Sequence, residues 1–289
     1  MRVAFALTAL FAVLAGAGLY LVFDPAPAAV AQPLQPPAKA GLPPAINAAD
    51  PPQPPDFEEV RKKAEPLPDP PKADPKNEHK KLLPDGSLLL ELAPDPAAPG
   101  KKKPVRVLVQ AEVCMTQGPL EVLLCRKQTK EHEAVVRTGV DAKLIHAALM
   151  AAGGKPGSPV RFLDPATDQP AYRPASGTTI AVTVHYRQAG KATSRPGQEW
   201  VRDIKTGKPM AHKWVFAGSK EIRNPDDPSA PPYYAANSGE VISISNFPGS
   251  MLDLPVPVSQ ENAELAFEAF TAHIPPLLSG VWVVLTPEK

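Results

Sequence analysis

Proline placement constrains this chain more than any other feature. Of its 39 prolines, 20 fall between Asp24 and Gly100, in runs such as PAPAAVAQPLQPPAKAGLPP, PPQPP and PLPDPPKADPKNEHKK. Proline removes a backbone donor and locks φ, so neither helix nor sheet interior is expected there. The tract also carries too little apolar surface to offset the entropy of ordering it. Residues 32–83 therefore read as a disordered, semi-rigid linker, reaching on the order of 190 Å if about 60 residues took extended polyproline geometry. Inside it, Asp56–Glu65 (DFEEVRKKAE) has a helical composition, but is too short to be stable alone.

Ahead of the linker, Val3–Phe23 is an uninterrupted apolar run between Arg2 and Asp24. It has the length of a membrane span, about 20 residues. Ala29-Val30-Ala31 is a small-x-small site that a signal peptidase could cut before Gln32. Residues 1–31 are read as a signal peptide or an N-terminal membrane anchor. Either sends the remainder across the cytoplasmic membrane, so the expected location is the cell envelope, with membrane contact through this segment. The first cysteine is Cys114, which excludes a lipid at a processed N-terminal cysteine.

A net charge of +1 and 6% aromatic residues give no basic footprint or stacking surface, so nucleic acid is not an expected partner. Two cysteines are too few, by themselves, for an iron–sulfur cluster or a four-thiolate zinc site. A divalent metal held by histidine and carboxylates stays open.

Folded sequence is expected over 84–289. Asp85-Gly86 signals a turn before a strand at Ser87–Leu92. Val105–Cys114 and Leu120–Cys125 read as the two arms of a hairpin around Thr116–Pro119. Asp141 caps a helix through Ala152, with Leu144, Ile145, Ala148 and Leu149 as its apolar stripe. Gly177–Tyr186 is a strand with Ile180, Val182 and Val184 on one face. Shorter strands follow at Glu199–Ile204, Lys213–Ala217, Glu240–Ser245 and Val281–Leu285, and a helix over Ser259–His273. Strands outnumber helices without alternating with them. This predicts one α+β domain, with a mainly antiparallel sheet and two or three helices.

The segments GPLEVLLC (Gly118–Cys125), KEHEAVV (Lys130–Val136), DAKLIHAALMAAGGKPGSPV (Asp141–Val160), QEWVRD (Gln198–Asp203), WVFAGS (Trp214–Ser219), SNFPGSMLDLPV (Ser245–Val256) and NAELAFEAFTAHIPP (Asn262–Pro276) occur in that order. Together they closely resemble the YdjY-type domain of bacterial envelope proteins, over roughly Ser87–Pro287. Relatives with added cysteine clusters are described as ferredoxin-like; this chain lacks such a cluster, so electron transfer does not carry over. Relatives often show Asp and Cys in the segment matching Ala236–Ile244, where this chain has Asn237, Glu240 and Ser243.

Glu131-His132-Glu133 is the densest polar cluster of the folded part and the candidate metal site, with His146, Asp203 or His212 as further ligands. The competing reading is a hydrogen-bonded network that pins the loop after the hairpin. Cys125, His132 and His146 are the candidate catalytic residues, Cys125 as a nucleophile activated by His132. His146 falls beside the apolar stripe of its helix. Hairpin register sets Cys114 and Cys125 about four residues, roughly 13 Å, apart along the strand. That is too far for a disulfide, which needs Cα atoms within about 7 Å. Ser219 lacks the flanking glycines of a nucleophile elbow. Asp253 is expected to bond backbone groups of its own turn. The first functional expectation is a tethered envelope module that binds a partner protein or envelope polymer. A metal- or cysteine-dependent enzyme centred on Glu131, His132 and Glu133 is the second, and a redox accessory protein the third.

Overall fold

The computed structural model describes residues 57–162, 172–258 and 265–288. Among the described residues, eleven strands share one sheet. They are β1 (Glu78–Lys81), β2 (Leu88–Pro94), β3 (Lys102–Val113), β4 (Val122–Arg126), β5 (Ala134–Thr138) and β6 (Thr179–Gln188). The others are β7 (Lys191–Pro196), β8 (Trp214–Phe216), β9 (Ile242–Ser243), β10 (Leu252–Asp253) and β11 (Gly280–Pro287). Eight close into a barrel in the order β3-β11-β6-β8-β10-β9-β4-β5, with β5 pairing back to β3. β4 and β5 are parallel, as are β9 and β10; the other barrel pairs are antiparallel.

Closure works because the long strands each serve two neighbours on one edge. β3 pairs with β2 through Lys102–Val109 and then with β5 through Glu112 and Val113. β6 meets β8 at Thr179 and Ile180 and turns to β7 from Thr183 onwards. A closed ring leaves no open edge in the barrel itself. The expected α+β class is thus overturned: the unit is mostly β, with two α-helices among the described residues, α1 (Phe57–Lys63) and α2 (Ala142–Ala151).

Period-2 alternation fills the interior. Val107, Val109, Ala111 and Val113 of β3, Ile180, Val182, Val184 and Tyr186 of β6, and Val281, Val283 and Leu285 of β11 join one buried core. α2 adds Ala142, Ile145, Ala148 and Leu149 to it, while Leu144, expected in the stripe, stays 43% exposed. Asp141 caps α2 as expected, its Oδ1 accepting from Lys143 N at 2.8 Å.

Three local expectations fail for tertiary reasons. β3 and β4 are no hairpin, since β5 lies between them. The predicted helix at Ser259–His273 is, where described, a strand at Phe267–Ala269 and a 3-10 turn at Thr271–His273; residues 259–264 lie outside the described residues. Phe267 and Ala269 are buried and pair with Asp203 and Val201, so cross-strand burial overrides the helical composition. The folded unit also begins before residue 84. β1 pairs with β2, and residues 65–71 lie on the outside of the barrel, hydrogen-bonded to β3 and β11. The N-terminal apolar run and residues 32–56 of the expected linker lie outside the described residues. Among the described residues no helix is long and apolar enough to cross a membrane.

Candidate functional site

The Glu131-His132-Glu133 cluster forms a 3-10 turn in the connection between β4 and β5. Parallel neighbours ordinarily need a long crossover; here Lys127–Glu133 must run back the length of β4. The polar residues hold that short return in place. Lys130 Nζ sits 2.8 Å from both Glu121 and Glu133 and 4.1 Å above the Phe247 ring. Glu131 accepts from Gln128 N and pairs with Arg137 at 2.9 Å, and Arg137 also bonds Glu112 of β3. Burial pushes the Glu131 carboxyl up, but the Gln128 amide and Arg137 outweigh it and leave it below the ordinary range. Burial pushes Glu121 above its ordinary value, Lys130 opposing and Glu133 adding to the shift.

These three residues face different partners. The His132 side chain is 79% exposed and 3.7 Å from its neighbour Glu133. Asp203 accepts from Thr206 N within its own turn. Among the described residues no group of three His, Cys, Asp or Glu side chains stands close enough to hold a metal ion.

Cys125 is fully buried, whereas His132 is on the surface, so the expected thiol–imidazole pair does not form. Instead Cys114 packs on the buried cluster that holds Cys125, and its Sγ donates to Ala134 O at 3.1 Å. Both thiols are free. The hairpin argument for their separation fails because each cysteine flanks β5 from its own side.

His146 belongs to a different constellation. It lines a cavity of about 340 Å³ with Lys143, Met150, Gly218, Ser219, Glu221 and Tyr234, between α2 and the antiparallel ribbon of Glu221–Ile222 and Tyr233–Tyr234. Tyr234 donates its hydroxyl to Gly218 O at 3.0 Å, so its oxygen accepts from His146 Nδ1–H at 2.8 Å. This assigns the proton to Nδ1 and leaves Nε2 a lone pair. Burial lowers the His146 pKa, Lys143 lowers it further, and the Gly218 carbonyl opposes them. Burial raises Tyr234 well beyond the ordinary phenol range. The floor is therefore a neutral imidazole and a protonated phenol.

Ser219 is fully used: Oγ donates to Gly249 O at 2.6 Å and accepts from Ala236 N at 3.0 Å. A Lys143–Glu221 ion pair of 2.6 Å bridges the two walls. The elements forming the cleft leave Leu144, Met150, Ile222 and Tyr233 exposed by 43–49%. Tyr234 is not legible as a site residue in the sequence: it sits in a two-residue strand, and only the fold brings it to His146.

The SNFPGSMLDLPV segment supplies a buried polar knot beside β9 and β10. Asn246 Nδ2 donates to Asp253 Oδ1 and Leu254 O, and Leu254 N donates to the same Asp253 oxygen at 2.8 Å. Asp253 Oδ2 and Ser245 Oγ are buried without a partner. Burial pushes the Asp253 carboxyl up to about 7.

Comparison with known proteins bears on these segments as a set. The family model described as the YdjY domain matches residues 100–286, more than half of the chain, and the chain belongs to that family. No curated protein and no solved structure matches it.

Proposed function

We propose that this member of the YdjY domain family is an exported or membrane-tethered envelope protein whose barrel is a binding module. In this reading the apolar run Val3–Phe23 delivers or anchors the chain, and the cleft over α2 receives part of an envelope polymer or partner. The observation that carries the binding role is the cleft itself. A 340 Å³ recess with a neutral, hydrogen-bonding floor of His146 and Tyr234 stands among exposed apolar side chains. Small-ligand sites combine these two properties. The occupants of the barrel interior argue in the same direction, because a packed apolar core leaves recognition to the outer surface.

The test uses the full chain. Protease added to intact spheroplasts should digest the barrel, and purified protein should bind isolated cell-wall sacculi saturably. Met150→Asp should weaken that binding at least about tenfold, because it puts an unpaired charge against an apolar contact, with an unchanged melting curve. A barrel protected inside spheroplasts would end the envelope reading. Binding indifferent to Met150→Asp would end the assignment to this cleft.

A further inference from the structure

The outer face of β2, β3 and β11 carries a second apolar cluster, separate from the barrel core. It consists of Leu89, Leu108, Trp282 and Val284, each at most 4% exposed. Their cover is the chain itself: Leu67 packs on them, and Pro68 is buried there. The covering segment, Ala64–Lys72 (AEPLPDPPK), has neither helix nor strand.

Three donors of the barrel read its backbone. Gly280 N donates to Glu65 O at 3.0 Å, Trp282 Nε1 to Pro68 O at 2.9 Å, and Arg106 Nη2 to Pro71 O at 3.1 Å. The accepting carbonyls are spaced by three residues. A polyproline helix has three residues per turn and no internal hydrogen bonds, so carbonyls at this spacing all face one side and are free to accept. Approach is close: a Cβ on Gly280 would come 2.9 Å from Leu67 Cα. Beyond the segment, buried Glu91 takes hydrogen bonds from Ala73 N, Asn77 Nδ2 and Arg106 Nε, which fixes Arg106 toward Pro71.

We infer that this face is a docking surface for an extended, proline-rich peptide of a partner, held in this structure by residues 65–71 of the same chain. An apolar face built round Trp282, an indole N–H aimed at a proline carbonyl and a period-three set of donors suit a polyproline II ligand. The contacts go mainly to backbone carbonyls and one aliphatic side chain, so any ligand with prolines and a leucine in this register satisfies them. The inference is independent of the α2 cleft, with which it shares no residue.

The probe is a fluorescein-labelled peptide of sequence AEPLPDPPK, titrated into the full chain. Leu67→Asp/Pro68→Gly should free the groove, since it removes the apolar anchor and loosens the polyproline geometry. This variant should bind the peptide saturably, and wild type at least about tenfold more weakly, because a tethered segment competes at roughly millimolar effective concentration. Adding Trp282→Phe should weaken binding about fivefold, the loss of one net hydrogen bond. A peptide with every proline replaced by alanine should not bind. No saturation with a variant that still melts cooperatively, or equal binding of the alanine peptide, would overturn the inference.

Should the double variant not fold, wild-type full chain nicked after Lys72 replaces it. The released fragment should rebind on concentration and be displaced by the peptide; a fragment that never rebinds overturns the inference. A wild-type dimer that exchanges these segments between copies also overturns it, because the occupant is then a second copy and not a partner.

Discussion

Asp253→Asn should make the protein more stable at neutral pH, and the gain should vanish in acid. Asp253 is fully buried, with one carboxylate oxygen bonded to Asn246 Nδ2 and Leu254 N and the other without a partner. Burial raises its pKa from 3.8 to about 7. A folded-state pKa above the unfolded value means that the native state holds the proton longer. Stability from this group is therefore intact below about pH 4, falls as pH rises through the window up to about 7, and is flat beyond it. A rise of that size corresponds to about 4 kcal/mol across the whole window. Between pH 5 and pH 8 the loss is about 3 kcal/mol. Asparagine keeps the accepting oxygen and cannot ionise. Urea unfolding of both proteins at pH 5 and pH 8 measures the effect, and groups titrating in common cancel in the difference. The asparagine variant should gain about 3 kcal/mol on wild type over that interval. Parallel stability profiles would refute the reasoning, and so would a deficit of the variant that grows with pH.

Lys130→Met should cost about 3 kcal/mol at neutral pH, since it strands the buried Glu121 beside the largely covered Glu133. The loss should shrink as pH falls and Glu121, already pushed up by burial, takes up its proton, which denaturation at pH 4 and pH 7 would show. Gly177→Ala should cost more than about 2 kcal/mol by thermal unfolding. Its φ is +137° and the new Cβ would lie 2.1 Å from Phe216 O, where backbone has no room to yield. Iodoacetamide should label Cys114 in the native protein, slowly, and Cys125 only on unfolding, because Cys125 is completely buried and Cys114 is not. Equal native labelling by mass spectrometry would contradict that burial.

Residues Asp141, Ile180, Val182 and Val184 declare their local roles in the sequence, since capping and period-2 alternation are short-range signals. The ordered run of segments from Gly118 to Pro276 likewise identifies the family, which the match over residues 100–286 shows. Alternation also locates most long strands, but it says nothing about who pairs with whom. That is why a hairpin register sets Cys114 and Cys125 apart, although β5 between β3 and β4 brings both into one apolar cluster. The same blindness makes Ser259–His273 look helical, when Val201–Asp203 offers Phe267 and Ala269 a partner strand.

Proline content correctly excludes helix and sheet from Glu65–Pro71, yet it cannot reveal a surface that receives carbonyls at every third residue. The polar motif at Glu131–Glu133 and the pairing of His146 with Tyr234 divide along this line. The first sits within a few residues of its partners, apart from Glu112, and its pinning role is readable. The second joins residues 88 apart, which barrel closure alone could bring into contact. Local propensity and alternation act over a few residues and are written in the chain; closure, docking of the proline segment and the cleft are set by long-range burial, which no short stretch contains.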